Sequence, residues 1–195
     1  MTTINPVLLE LPASFETGRL RMRVPQPGDG AIHTAAIAES VTELRAFLAS
    51  IPWIGSEPGV DVSETYCRKS AANFLSRTDL PFLVFEKAGG ELVGGIGLHR
   101  PVWETPKLEV GYWVRTRYGG RGFVTEAVNG LCDYAFTHAG AVRLDLVTDA
   151  QNLASRRVAE RCGFQLEGVL RHERRAPDGS LRDTCMYGRL APQAA

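Results

Sequence analysis

The stretch Val110-Gly-Tyr-Trp-Val-Arg-Thr-Arg-Tyr-Gly-Gly-Arg-Gly-Phe-Val-Thr-Glu-Ala127 joins three unlike segments. Residues 108–114 read as a strand, residues 115–121 are rich in glycine and arginine, and Phe123, Ala127, Leu131 and Ala135 recur on one face of a helix running to about His138. Gly119, Gly120 and Gly122 allow the main chain to approach a ligand closely, and the start of the helix favours negative charge. Such a loop suits a diphosphate, although glycine-rich strand-to-helix turns also serve as plain connections. Two other phosphate loops fail on their letters. A P-loop needs Lys and then Ser or Thr after its last glycine, whereas Gly122 is followed by Phe123 and Val124. A dinucleotide fingerprint needs a third glycine where Thr125 stands.

Working upstream, residues 82–86 and 92–99 form a predicted hairpin about Gly89-Gly90. Further back, Leu20, Met22 and Val24 alternate with Arg19, Arg21 and Arg23, the period of a strand with one dry face. Residues 31–50 carry apolar positions at helical spacing and read as two short helices that stop before Pro52, and a third helix follows at 63–76. Downstream, Gly140 ends the long helix, 142–148 alternates as a strand, and Asn152 caps a short helix ending near Cys162 and Gly163. Strands at 164–171 and 182–190 are joined by the turn Pro177-Asp178-Gly179-Ser180. This order predicts one α/β (α+β) domain over 16–191, between tails at 1–15 and 192–195, with a mixed sheet of seven strands. The crossover from 108–114 through the long helix to 142–148 directs any phosphate to that helix start.

Composition excludes several classes. The 195 residues are 44% hydrophobic and 23% charged, enough for one full core. The 22 basic residues cancel the 22 acidic ones, which excludes a polybasic binder of nucleic acid or anionic membrane. Apolar runs are far shorter than the ~20 residues of a membrane span. The N-terminus lacks a basic leader, so a cytoplasmic protein is expected. Cys67, Cys132, Cys162 and Cys185 form no C-x-x-C pair and are expected as buried, reduced thiols. His33, His99 and His138 have no ligand spacing, and His172-Glu173 lacks the second histidine of a zinc motif, so no metal is expected.

Taken together, four segments resemble the GCN5-related N-acetyltransferases (GNAT), in the branch of RimJ- and RimL-type ribosomal-protein N-terminal acetyltransferases. They are Glu16-Thr-Gly-Arg-Leu-Arg-Met-Arg23; Glu109-Val-Gly-Tyr-Trp-Val114 with Tyr118-Gly-Gly-Arg-Gly122 and Thr125-Glu-Ala127; Asn152-Leu-Ala-Ser155 with Gly163-Phe164; and Leu166-Glu-Gly168 through Asp178-Gly179 to Met186-Tyr187. The resemblance implies a mostly antiparallel sheet flanked by helices, split where 108–114 and 142–148 splay apart. It also implies acetyl-CoA as co-substrate. Its pantetheine would pair with Tyr112, Trp113 and Val114, a splayed edge offering unpaired backbone groups.

Its diphosphate would lie on Gly119, Gly120, Arg121, Gly122, Phe123, Val124 and Thr125. Arg117-x-x-Gly120-x-Gly122 matches the general superfamily loop by letter. The branch register, preferred here, puts Gly119 first, Gly122 fourth and Val124 last. Asn152, a natural N-cap, would also bind pantetheine, and Ser155 would face the sulfur, since Ala159 stands where the superfamily's familiar tyrosine acid falls. Glu109 is the expected base, with His172 and Glu173 in reserve. Pro52, Trp53 and Ile54 fall where the branch builds its acceptor side, although core packing explains them equally well. Solvated faces explain Arg156, Arg157, Arg161, Arg171, Arg174 and Arg175 better than contacts to a 3′-phosphate or acidic acceptor.

The chemistry so implied is direct attack of a primary amine on acetyl-CoA with both substrates bound; no nucleophile motif argues for a covalent intermediate. The expected acceptor is a protein N-terminal α-amine of ribosomal-protein type, and the branch implies a homodimer. Three competing readings remain open at this point: acetylation of an aminoglycoside, polyamine or amino-sugar, use of succinyl-CoA, and a silent acyl-CoA-binding regulatory module.

Overall fold

Leu20 and Met22, alternating with arginines, are fully buried while Arg21 between them faces solvent, and the segment is a strand as its period predicts. In the computed structural model, residues 5–48 and 51–192 are described, without the side chains of Pro52 and Trp53. The elements are β1 (Ser14–Glu16), β2 (Leu20–Arg23), α1 (Gly30–Leu48), α2 (Pro52–Gly55), α3 (Val60–Ser76), β3 (Leu80–Glu86), β4 (Leu92–Val102), β5 (Lys107–Val114), α4 (Phe123–His138), β6 (Arg143–Asp149), α5 (Leu153–Arg161), β7 (Gln165–Arg175) and β8 (Leu181–Leu190).

One sheet holds all these strands in the order β1-β2-β3-β4-β5-β6-β8-β7. Among the described residues only β5 and β6 run parallel, as the crossover through α4 requires. The mixed, mostly antiparallel sheet is therefore as predicted, but among the described residues it has eight strands rather than seven. The additional strand is β1, whose Phe15 pairs with Met22 and meets Phe82 edge-on with ring centroids 5.0 Å apart. Three residues are too few to display a period, which is why the segment reads as tail. Leu11, before it, is buried.

Two helical boundaries also differ from the sequence reading. Residues 31–48 form one helix rather than two, because neither Pro nor Gly interrupts them. Helix α3 starts at Val60 rather than 63, with Asp61 in its first turn where an acid complements the helix dipole.

The central strands are buried on both faces. Leu80, Phe82, Val84, Leu108 and Val110 meet Val128, Leu131 and Ala135 of α4 on one side. Leu83, Phe85 and Trp113 meet Ala36, Ile37 and Leu44 of α1 and Ile54 of α2 on the other. Truncating a fully buried leucine here, such as Leu131 or Leu83, costs about 2–5 kcal/mol.

The site is positioned by one local failure of pairing. Strands β5 and β6 pair only from Lys107 to Glu109 against Arg143 to Asp145. Beyond that point β5 stays with β4 as far as Val114↔Gly94, and β6 stays with β8 as far as Asp149↔Thr184. No register pair joins 110–114 to 146–149, so the sheet is split between them, the splay that the resemblance implies.

Candidate active site

At one end of the split, the loop after β5 turns into α4. Gly120 and Gly122 have φ of 73° and 78°, left-handed values that cost an L side chain roughly 1–2 kcal/mol. Gly122 stands at the N-cap of α4 and offers no side chain to close it. Among the described residues, no group accepts the N–H groups of Gly120, Arg121, Gly122, Phe123, Val124 or Thr125. They form a run of donors at the positive end of a helix, suited to an anion. The N–H of Gly119 differs: it closes a turn on the Thr116 carbonyl at 3.0 Å.

The loop is held from below. Tyr118 is buried and donates its phenol proton to Glu91, while the Arg121 guanidinium lies 4.9 Å from the Phe123 ring centroid. Glu126, one turn into α4, accepts from Thr17 Oγ1 at 2.6 Å, Arg19 N at 2.7 Å and Arg19 Nε at 2.6 Å. Burial works to raise this carboxyl, but those bonds outweigh it and hold it below the usual range.

In the split itself, side chains of β5 alternate between the two faces. Tyr112 and Val114 lie on the α4 face, where they line a small apolar pocket with Phe123, Val124 and Ala127. The Tyr112 phenol oxygen is 2.8 Å from Ser155 Oγ, at the start of α5. Burial pushes this phenol up to about 12, so it stays protonated at neutral pH. Asn152 caps α5, its Oδ1 accepting the Ser155 N–H at 3.0 Å. Thus Tyr112, Asn152 and Ser155 are gathered together. The bond to Ser155 through the Tyr112 side chain was missed by sequence reasoning, which used only that residue's main chain.

The other face carries Trp113, with its indole over Gly95. His33 meets Trp113 edge-on at 5.5 Å and stacks on Tyr66 at 4.8 Å. His33 is fully buried and its Nδ1 lies 3.0 Å from Ser63 Oγ; burial lowers its pKa to about 4, with Asp29 opposing. Ile54 is buried beneath this face, whereas the Pro52 and Trp53 side chains lie outside the described residues. Glu109 is here too, at the last position of β5 that pairs with β6, and both its oxygens take hydrogen bonds from the Arg100 guanidinium. His99 is its register partner on β4 and hydrogen-bonds Asp79 through Nδ1 at 2.6 Å.

His172 and Glu173 sit on the edge strand β7, with β8 between them and the far wall of the split. Glu173 is taken up by the Thr184 hydroxyl, and the His172 N–H by Asp183. Of the arginines, Arg156 bonds Tyr187 Oη and the Ala150 carbonyl. All four cysteines are buried and free, and burial pushes Cys132 up to about 12 and Cys162 up to about 11. Neither is a thiolate nucleophile at neutral pH. Among the described residues, no helix is long and apolar enough to cross a membrane, and no three His, Cys, Asp or Glu side chains gather as a metal-binding group.

A run of free N–H donors at one end of a split, with a hydroxyl pair beside it, suits a long anionic thioester whose acyl end must reach a second substrate, as an acyl-CoA-dependent transferase requires. The chain belongs to the GNAT acetyltransferase family, whose acetyltransferase (GNAT) domain matches residues 19–165. It is 32% identical over 140 residues to the uncharacterized N-acetyltransferase p20 of Bacillus licheniformis, covering 71% of this chain and 78% of that one. It is 29% identical over 110 residues to the ribosomal-protein-serine acetyltransferase of Escherichia coli (strain K12), covering 56% of this chain and 59% of that one. Among solved structures, RimL, a ribosomal L7/L12 alpha-N-protein acetyltransferase in complex with coenzyme A, has the same fold. Its TM-score is 0.82 at 18% identity, over 92% of this chain and 97% of that one. The enzyme is thus an N-acetyltransferase with acetyl-CoA as co-substrate.

Proposed function

We propose that the enzyme acetylates the α-amine at a protein N-terminus, in a ternary complex and without a covalent enzyme intermediate. The observation that carries the proposal is the split between β5 and β6, which opens the α4 face of the sheet to the face bearing Trp113. The names of two similar proteins, one acting on ribosomal-protein serine and one on the L7/L12 N-terminus, support the choice of acceptor.

The residues present fit acetyl-CoA. The free N–H groups of 120–125 receive the diphosphate, with Arg121 beside them; Gly119 shapes the turn, its own N–H being spent. Pantetheine lies along the open edge of Tyr112, Trp113 and Val114, and the Asn152 amide, whose oxygen is used by the cap, has its N–H₂ left to offer. A main-chain N–H of the open edge polarises the thioester carbonyl as charge develops on its oxygen. The Ser155 hydroxyl, with the neutral Tyr112 phenol behind it, donates to the departing thiolate. The acceptor amine enters from the face of Trp113, where Glu109 and His99 supply the polar groups.

The same reading makes this a cytoplasmic protein, in keeping with its four buried free thiols. It also makes it a homodimer, in keeping with the apolar Leu166, Leu170 and Leu190 exposed on the β7–β8 hairpin. Light scattering at micromolar concentration reads the second point, and a monomer would remove it. The test of the whole is an acceptor screen with acetyl-CoA and succinyl-CoA, following free thiol. A peptide with a free N-terminus should release thiol from acetyl-CoA; release only with spermidine, an aminoglycoside or an amino-sugar would redirect the acceptor.

A further inference from the structure

We propose that His99, oriented by Asp79, is the base that takes the proton from the acceptor ammonium. The inference rests on the amine-acetylating reading above and deepens it.

Three register rows of β4 and β5 follow one another on the face that carries Trp113: Gly95 opposite Trp113, Gly97 opposite Gly111, and His99 opposite Glu109. The imidazole of His99 does not stand over its own row. It leans along the strands onto the middle one, where both partners are glycine. A Cβ added to Gly97 would come within 2.9 Å of His99 Nε2, and one added to Gly111 within 2.8 Å. Any other residue in either place would push the ring away, so the paired glycines are its bed. Gly111 is also within the stretch of β5 that has already parted from β6. The ring therefore reaches the foot of the split from the acceptor side, while Tyr112 and Ser155 border it on the opposite face.

The hydrogen bond behind the ring sets its tautomer. Nδ1 lies 2.6 Å from Asp79 Oδ1, and an ionised carboxylate only accepts, so the proton is on Nδ1 and Nε2 carries the lone pair. Among the described residues nothing hydrogen-bonds that Nε2, and about a third of the side chain is exposed. Charged and titratable groups around it are Asp79, Tyr66 of α3 (whose phenol feels the Asp79 charge), and Glu109 with its Arg100 partner. Glu109 is the less suitable base. A carboxylate forked onto a guanidinium must give up charge-assisted bonds to accept a proton.

The step balances without a further reactant. The ammonium gives one proton to His99 Nε2, and the neutral nitrogen attacks the thioester carbonyl, forming C–N as C–S breaks. Its second proton ends on the CoA sulfur through the Ser155 side, and His99 returns the first to water.

The experiment measures kcat/KM from pH 6 to pH 9.5 for wild type, His99→Gln, Asp79→Asn and Glu109→Gln. The acceptors are a peptide with N-terminal serine and spermidine, with acetyl-CoA affinity measured alongside. His99→Gln should lose about a hundredfold at neutral pH, regain activity as pH rises, and keep its acetyl-CoA affinity. Asp79→Asn should lose less, and Glu109→Gln should keep the acidic limb of the wild-type profile whatever its amplitude. An unchanged profile in His99→Gln, or a limb that vanishes in Glu109→Gln alone, overturns the proposal. A second readout needs neither turnover nor a variant. In ¹⁵N-histidine spectra of the wild type with CoA, neutral His99 should be protonated on Nδ1, and protonation on Nε2 overturns the assignment. If the wild type acetylates neither acceptor, the acceptor reading fails and the tautomer alone decides the base.

Discussion

The phenol oxygen of Tyr112, on β5, lies 2.8 Å from Ser155 Oγ, so a hydroxyl pair joins one wall of the split sheet to α5. The pair has one mechanistic consequence. Ser155→Ala removes the hydroxyl proposed to donate to the departing sulfur and should lower kcat by about ten- to a hundredfold, with acetyl-CoA affinity nearly unchanged. Tyr112→Phe should lower it less. The double variant should fall short of the product of the two, because each acts through the same bond. Steady-state kinetics with calorimetry checks this, and independent effects would show that the two hydroxyls do not act together.

The proposed diphosphate loop makes a second prediction. Gly120 has left-handed φ and presents its N–H beside five more that are free. Gly120→Asp adds a strained side chain and a negative charge on the loop proposed to take the phosphate oxygens. Calorimetry should record a strongly weakened acetyl-CoA dissociation constant, with the far-ultraviolet spectrum unchanged. An unaltered constant would move the diphosphate elsewhere.

His33 supplies a pH prediction for stability. Its pKa falls from the ordinary 6.5 to about 4 on burial, so between those values the unfolded chain binds a proton that the folded one refuses. Stability should accordingly be flat in this respect above pH 6.5 and fall as pH drops towards 4, by roughly 3 kcal/mol over the whole window at 1.36 kcal/mol per unit. Urea midpoints for wild type and His33→Gln at several pH values measure the difference. Parallel pH slopes in the two proteins would contradict it.

Much of this was legible in the chain because it is local. Alternation at 20–24, the glycines of 119–122, and Asn152 ahead of a short helix each declare themselves within a few residues. Strand β1 was illegible because three residues cannot show a period, and α1 was misread as two helices although no breaker divides it. The site's side-chain pairs were hidden for a different reason. Tyr112 and Ser155 are 43 residues apart, and His99 and Asp79 are 20 apart, so only the sheet register and the α5 position bring them together. Glu109 was visible as an acid on the strand beside the split, but its Arg100 fork was not: Arg100 has φ of 49° and stands where β4 leaves its register with β5. Gly97-x-His99 and Gly111 were in plain view. Their meaning needed the pairing that sets the two glycines face to face beneath one imidazole.

The most direct measurement is tandem mass spectrometry of a serine-led peptide incubated with the enzyme and acetyl-CoA. The expected result is one acetyl group on the α-nitrogen, stoichiometric free CoA, and no acetyl group on the protein itself at any time. An unmodified peptide alongside acetylated spermidine or amino-sugar would contradict the acceptor, and an acetylated enzyme that forms and decays with turnover would contradict direct transfer.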